Sequence, residues 1–119
     1  MGKYLVLGAS PNPLRHSNKV IKSLVRHNKM VVPVGFRSGT VSGIEIKTGF
    51  PPEENTENLL LYVGSRRQKD YYDYILKLHP KKIVFNPGTE NPELMELAQK
   101  HNIECIEGCA LVMINGGQL

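Results

Sequence analysis

The chain alternates short apolar runs of strand length with segments of helical periodicity, and this alternation limits the folds that it can adopt. Between most of the runs, apolar residues recur at helical spacing, as at Val20, Ile21, Leu24 and Val25. The runs are continuous rather than alternating with polar residues, which is typical of strands covered on both faces. The sequence therefore predicts a doubly wound α/β fold with a mostly parallel sheet of about five strands. The predicted strands span residues 3–7, 30–34, 58–63, 81–85 and 103–107.

Local signals place the starts of two further helices. Ser65 and Asn91 each precede a segment with apolar residues at helical spacing, and Pro92 would then occupy the favoured first helical position. The segment 39–57 breaks the alternation with Gly, Pro and acidic residues. We expect a loop there, with one short extended stretch around 44–47.

Length and composition are those of one globular domain, here residues 1–119. No apolar run approaches the roughly 18 residues of a membrane-spanning helix. No secretory leader pattern precedes the first strand, and two cysteines supply no disulfide framework. The sequence thus predicts a cytoplasmic protein, and its net charge of +4 favours anionic partners without choosing among them.

The turn after the first strand, within "YLVLGASPNPLRHSNKV", is suited to holding an anion. Gly8 permits close backbone approach, Ser10 offers a hydroxyl, and a helix beginning near Ser17 would point free amide groups at the ligand. The alternative is a tight connection in which both serines only satisfy backbone groups. Ligands of open parallel sheets bind beyond the carboxyl ends of the strands, which favours the binding interpretation.

The other strand ends carry compatible residues. Gly35, Gly64 and Gly88 fall on the same predicted rim as Gly8, as a ligand lying across that rim would require. No Asp or Glu occurs from residue 28 to Arg37, where a site for NAD would carry an acidic residue. Arg37 suits an additional phosphate on the adenosine ribose, as in NADP or coenzyme A; the alternative is an exposed arginine without a ligand.

Three segments carry a family resemblance: "VLGASPNPLRHSNKVIKSL", "VVPVGFR" and "NPGTENPELMELAQKHNIECIEGCALVMI". They resemble the small bacterial CoA-binding proteins, which are similar to the N-terminal CoA-binding domain of the succinyl-CoA synthetase α subunit. The resemblance implies a three-layer Rossmann-like domain that holds coenzyme A or an acyl-CoA at the carboxyl edge of the sheet. It implies a carrier or sensor with no chemistry of its own, and a protein partner remains open.

The resemblance also implies roles for residues of this chain. The first loop and helix start would line the diphosphate, Arg37 would meet the 3′-phosphate, the third strand end would flank the adenine or the pantetheine arm, and the fourth would close the far end. The chain departs from the family pattern in "PVGFRSG" and "YVGSRR". The predicted cofactor-binding residues are Gly8, Ala9, Ser10, Pro11, Asn12, Ser17, Asn18, Gly35, Phe36, Arg37, Val63, Gly64, Ser65, Arg66, Asn86, Pro87 and Gly88.

No catalytic residue and no metal site are predicted. His16 lies in the first loop near the expected phosphate, whereas the other histidines lie near helix ends, where a cation is favourable for the helix alone. Cys105 and Cys109 lack the further ligands of a zinc site. By position only, Cys109 is a hypothetical partner for the thiol of a bound coenzyme A.

Two other function classes remain open. An NADP-dependent reductase-like protein would use the same fold and Arg37. A nucleic-acid-binding module would use the positive charge and "SRRQKDYYDY", where basic residues adjoin tyrosines. Asp70 and Asp73 interrupt that basic surface, and the tyrosines also fit a buried helical stripe.

Overall fold

The computed structural model describes residues 2–119 and contains a five-stranded parallel sheet of order β2-β1-β5-β6-β7, next to a two-stranded antiparallel hairpin, β3-β4. The chain runs from β1 to β2 on one side and returns to β5 on the other. The strand order therefore reverses between β1 and β5. In chain order the strands are β1 (Lys3–Ala9), β2 (Val31–Gly35), β3 (Thr40–Val41), β4 (Ile44–Glu45), β5 (Thr56–Leu61), β6 (Lys82–Phe85) and β7 (Glu104–Glu107).

Helices cover both faces of the sheet, which confirms the predicted α/β, three-layer Rossmann-like fold. Along β1, Leu5 and Leu7 pack into a core shared with α3 and α4, whereas Tyr4 and Val6 pack into a core shared with α1 and α5. Both sets are buried, which explains why the run is continuously apolar. No helix within residues 2–119 is long and apolar enough to cross a membrane. The helices are α1 (His16–Arg26), α2 (Ser65–Gln68), α3 (Tyr72–Leu78), α4 (Pro92–Lys100) and α5 (Ala110–Asn115).

The helix starts agree with the sequence in one case and differ in the other. Asn91 caps α4, because its Oδ1 accepts hydrogen bonds from the amides of Glu93 at 3.1 Å and Leu94 at 3.3 Å. The prediction that Ser65 precedes a helix is wrong: Gly64 is the cap, Ser65 is the first residue of α2, and no side chain caps it. A 3-10 turn then separates α2 from α3. The last helix, α5 (Ala110–Asn115), was not predicted from the sequence.

The segment 39–57 contains the expected extended stretch. This stretch forms a hairpin and also pairs with the main sheet. β4 pairs with β3, and Lys47 then bridges to β2: its amide donates to the Pro33 carbonyl and its carbonyl accepts from the Gly35 amide, both at 2.9 Å. This pairing covers the β2 edge of the sheet. At the opposite edge, β7 pairs only with β6 among the described residues, and Glu104 and Glu107 form its exposed ends.

Glu53 fastens the rest of this segment to the sheet. Its carboxylate accepts hydrogen bonds from Lys47 Nζ at 2.6 Å and Lys3 Nζ at 3.0 Å. Nearby, the Tyr74 hydroxyl donates to the Pro51 carbonyl at 2.5 Å. The hydrogen bond from Lys47 is the main cause that lowers the pKa of Glu53, against the opposing effect of burial. The carboxylate is therefore favoured in the folded state.

We expect Glu53→Gln to lower the free energy of unfolding by about 0.5–1 kcal/mol at pH 7, the range of a partly exposed ion pair. Because folding lowers the pKa of Glu53, the stabilisation is present above the ordinary value of 4.5 and is lost as the pH falls through the folded value. Urea denaturation at pH 7 and below pH 4.5 should show the difference between the two proteins shrinking. Glu54→Gln, an exposed neighbour, is the control; an equal loss there would contradict the role of the ion pairs.

Candidate functional site

A cavity of about 580 Å³ opens beyond the carboxyl ends of β1 and β5, at the point where the strand order reverses. This is the position at which open parallel sheets bind ligands. Most of the predicted site residues lie together on its wall. They are residues 8–12, Ser17, Phe36, Arg37, Gly64, Pro87 and Gly88.

Two glycines allow the strand ends to come together beneath the cavity. Gly8 has a φ of +99°, and a Cβ there would lie 2.9 Å from the carbonyl carbon of Tyr62. Gly35 passes so close to the carbonyl oxygen of Ala9 that a Cβ would overlap it. Gly35 therefore supports the loop from below and does not line the cavity, contrary to the prediction.

The first loop is held by its own polar side chains. Ser10 Oγ accepts from the Asn12 amide at 3.1 Å, and Asn12 Oδ1 accepts from the Leu14 amide at 3.0 Å. Asn18, which is buried in α1, donates from Nδ2 to the Ser10 carbonyl at 3.0 Å. Asn18 thus fastens the loop to the helix and is absent from the cavity wall. Ser10 does satisfy a backbone group, as the alternative interpretation expected, and it also faces the cavity.

The start of α1 faces the cavity without a capping side chain. Arg15 occupies the cap position and makes no side-chain capping bond, and the first turn contains no acidic residue. His16 and Ser17, the first residues of the helix, both line the cavity. Amide groups in a first helical turn have no acceptor within the helix, and the helix dipole is positive there. An anion at this position would be stabilised.

Three arginines line the cavity, and the carboxylate of Glu90 lies beside it, where Oε1 accepts from the Gly88 amide at 2.9 Å. Arg15, Arg37 and Arg67 all line the cavity and are exposed, and no Asp or Glu lies on its wall. None of the three arginines forms an ion pair with another residue of the described part of the chain. The site can therefore attract a ligand with several negative charges.

The opposite wall depends on the buried side chain of Gln68. Its Nε2 donates to the carbonyls of Val63 and Thr89, both at 2.8 Å, and its Oε1 accepts from Asn91 Nδ2 at 2.8 Å. These bonds tie the connection after β5 to the connection after β6. Val63, predicted to line the site, is buried instead as part of this link.

Asn86 is also a supporting residue and does not line the wall. Its Nδ2 donates to the Leu61 carbonyl at 2.9 Å, and its Oδ1 accepts from the Ala110 amide at 2.8 Å. Its backbone carbonyl accepts from Thr89 Oγ1 at 2.7 Å. The side chain is buried and fully occupied in joining β5, β6 and the start of α5. Pro87 and Gly88, the next two residues, reach the cavity.

The structure places Ser65 and Arg66 on the exposed outer side of α2, away from the cavity wall. Arg67 lines the wall in their place, because successive residues of a helix point about 100° apart. Gly64 lines the cavity, and residues three positions apart lie on the same side of a helix. With Gly64 as the cap, this spacing points to Arg67. The other wall residues outside the predicted set are Arg15, His16, Tyr62 and Thr89.

The other reactive side chains are a tyrosine and a cysteine near the cavity and two histidines at helix ends. Burial raises the pKa of Tyr62, and the nearby Cys109 adds to the shift, so the Tyr62 hydroxyl stays protonated. Cys109 itself caps α5 and is not part of the wall. His27 and His101 each contact a carbonyl of their own helix through Nδ1. Among residues 2–119, no group of three His, Cys, Asp or Glu side chains is arranged to hold a metal ion.

Comparison with known proteins gives the same fold and a family. The family model described as a CoA binding domain matches residues 2–115. The crystal structure of an uncharacterised protein is 39% identical, with a TM-score of 0.96, and the match covers 100% of this chain and 98% of that one. No curated protein matches the chain significantly.

Two more distant structures share the fold. The structure of cell-free ID.343 from Thermus thermophilus is 21% identical, with a TM-score of 0.87 and coverage of 99% of this chain and 90% of that one. The dinucleotide-forming acetyl-coenzyme A synthetase 1 of Ca. Korarchaeum cryptofilum, in complex with phosphate and ADP, is 18% identical, with a TM-score of 0.68. That match covers 87% of this chain and 25% of the synthetase.

We expect Gly8→Ala to destabilise the protein by about 2–4 kcal/mol, because it adds a close contact with Tyr62 to a strained positive φ. Gly49→Ala is the matched control, since Gly49 has a φ of +77° but open space where the Cβ would lie. Urea denaturation should give a clearly larger loss for Gly8→Ala. Equal losses would mean that the close approach to Tyr62 contributes nothing.

Proposed function

Because the chain belongs to the CoA-binding domain family, we propose that it binds coenzyme A or an acyl-CoA at the carboxyl edge of its sheet, as a carrier or sensor without chemistry of its own. The observation that carries this proposal is the cavity at the strand reversal, which three unpaired arginines surround and no carboxylate lines. A volume of about 580 Å³ is within the range of sites that enclose ligands of this class.

The diphosphate of the ligand would lie against the first loop and the start of α1. Two features support this position: the preorganised hydrogen bonds of Ser10 and Asn12, and the uncapped helix start at His16 and Ser17. The loop bonds use the amides of Asn12 and Leu14, so the donors left for an anion are the Ser10 hydroxyl and the free amides at the start of α1. A loop that is already held binds an anion without the cost of being ordered on binding. Arg15, at the cap position, would add a charged contact.

Arg37 would bind the phosphate on the adenosine ribose. It lies two residues after the end of β2, on the side of the cavity away from β6, and it has no carboxylate partner among the described residues. The pantetheine arm would then run in the opposite direction, over Gly64 toward Pro87 and Gly88. The small side chains there leave room for an extended chain.

Of the two alternatives, nucleic-acid binding meets a specific observation against it, and NADP is distinguished by titration. NADP also carries a phosphate on its adenosine ribose, so Arg37 alone does not exclude it. For nucleic-acid binding, the tyrosines of "SRRQKDYYDY" would have to stack on bases, but Tyr71 and Tyr74 are 9% and 8% exposed. Coenzyme A accounts for the cavity better than a polynucleotide does.

The test is isothermal titration with coenzyme A, dephospho-coenzyme A, NADP and NAD in parallel. We expect binding of coenzyme A and weaker binding of the dephospho form, which lacks the ribose phosphate. Preference for NADP would replace the proposal with the dinucleotide alternative. Absence of binding with all four ligands would overturn it.

Arg37→Ala should weaken binding of coenzyme A by about 10- to 100-fold, the value of a charge-assisted hydrogen bond of about 1.5–3 kcal/mol. Binding of dephospho-coenzyme A should change little. Arg26→Ala, which removes an exposed arginine from the far end of α1, controls for net charge. Equal weakening of both ligands by Arg37→Ala would contradict a contact with the ribose phosphate.

A further inference from the structure

Phe36 presents an aromatic ring to the cavity. It is 50% exposed, although large apolar residues next to a core are usually buried. The edge of the Tyr71 ring supports it from the side of the helices, with ring centroids 6.1 Å apart at an angle of 68°. Tyr71 is itself buried, so the Phe36 ring rests on the core while part of its surface remains open to the cavity.

Arg67 lies over this ring. Its guanidinium carbon is 4.5 Å from the Phe36 ring centroid, which is the distance of a stacked cation–π pair. The two residues belong to different connections, after β2 and after β5, so the pair spans the mouth of the cavity. The guanidinium forms no ion pair within residues 2–119 and keeps its hydrogen-bond donors available.

The backbone beneath Arg67 is held in place. Gln68, the next residue, is fully buried and donates to the carbonyls of Val63 and Thr89. Only the side chain of Arg67 is therefore free to adjust. A planar cation above a supported aromatic ring, both on fixed backbone, is suited to holding a flat π-system.

We propose that Phe36 and Arg67 form the stacking site for the base of the bound nucleotide. Because the guanidinium carbon lies only 4.5 Å from the ring centroid, the Arg67 side chain swings off the Phe36 ring when the base enters, and the base then stacks between the two. A purine is favoured because a two-ring base covers more of both surfaces. This inference rests on the proposed function, and the neighbouring position supports it: Arg37 directly follows Phe36. One residue would hold the base, and the next would hold the phosphate on the attached ribose.

The chain supplies a matched control for each member of the pair. Phe50 is similarly exposed, at 57%, and also contacts Tyr71, with centroids 5.3 Å apart, but it does not line the cavity. Arg66 carries the same charge as Arg67 one residue earlier and lies outside the cavity. Loss of Phe50 or Arg66 should leave ligand binding unchanged.

The experiment measures affinity by isothermal titration with coenzyme A and with 4′-phosphopantetheine, which lacks the base. Phe36→Ala and Arg67→Ala should each weaken coenzyme A by about 5- to 50-fold, the range of stacking on one base. Neither should change binding of 4′-phosphopantetheine. Arg67→Lys should weaken coenzyme A nearly as much as Arg67→Ala, because lysine keeps the charge and lacks the plane.

Different results would overturn the stacking site and the proposed function. Equal weakening of both ligands, full affinity in Arg67→Lys, or losses in Phe50→Ala and Arg66→Ala as large as those in the pair would overturn the stacking site and leave coenzyme A binding intact. If the wild type binds no coenzyme A, the proposed function fails, and adenosine 3′,5′-bisphosphate then tests the pair directly. Binding that Phe36→Ala abolishes would support the stacking site, and no binding would overturn it.

Discussion

The structure depends on the interior position of β1, which pairs in parallel with β2 on one side and β5 on the other. After β1 the chain continues to β2 on one side of it, and it later returns to β5 on the other side. The connections that follow β1 and β5 therefore lead away from each other. The space between them is the cavity. Gly8 is required at this point, since the backbone of Tyr62 passes where its side chain would be. The position of the cavity follows from strand order before any polar residue is considered.

Buried carboxamides convert this crevice into a rigid site. Asn18 fastens the first loop, Asn86 joins two strands to α5, and Gln68 links the two connections of the opposite wall. A carboxamide carries no charge, so it can hold a loop backbone without the desolvation cost of an ion. Asn86 and Gln68 use both their donor and their acceptor, whereas Asn18 uses only its donor. The wall includes three glycines and three arginines, and these carboxamides hold its loops without being part of it.

The strands and the edge that carries the cavity could be predicted from the sequence, because continuous apolar runs and glycines at their ends depend on local residue type alone. The role of Asn91 was also readable, since a cap lies next to the helix that it serves. Arg66 was selected with the segment 63–66 that the resemblance matched, and the structure has Arg67 on the wall because α2 begins at Ser65. The burial of Asn86 depends on partners more than 20 positions away, which local patterns do not reveal, whereas the burial of Val63 agrees with its place at the end of the predicted apolar strand 58–63.

The two edges of the sheet differ in how they meet other molecules. Lys47 occupies the edge at β2, whereas β7 keeps its outer hydrogen-bonding groups, with Glu104 and Glu107 exposed at its ends. If two copies joined their β7 strands in symmetric antiparallel register, Glu104 of each would face Glu107 of the other. Like charges directly opposite across paired strands destabilise the pairing. The open edge therefore resists extension of the sheet from one copy to the next.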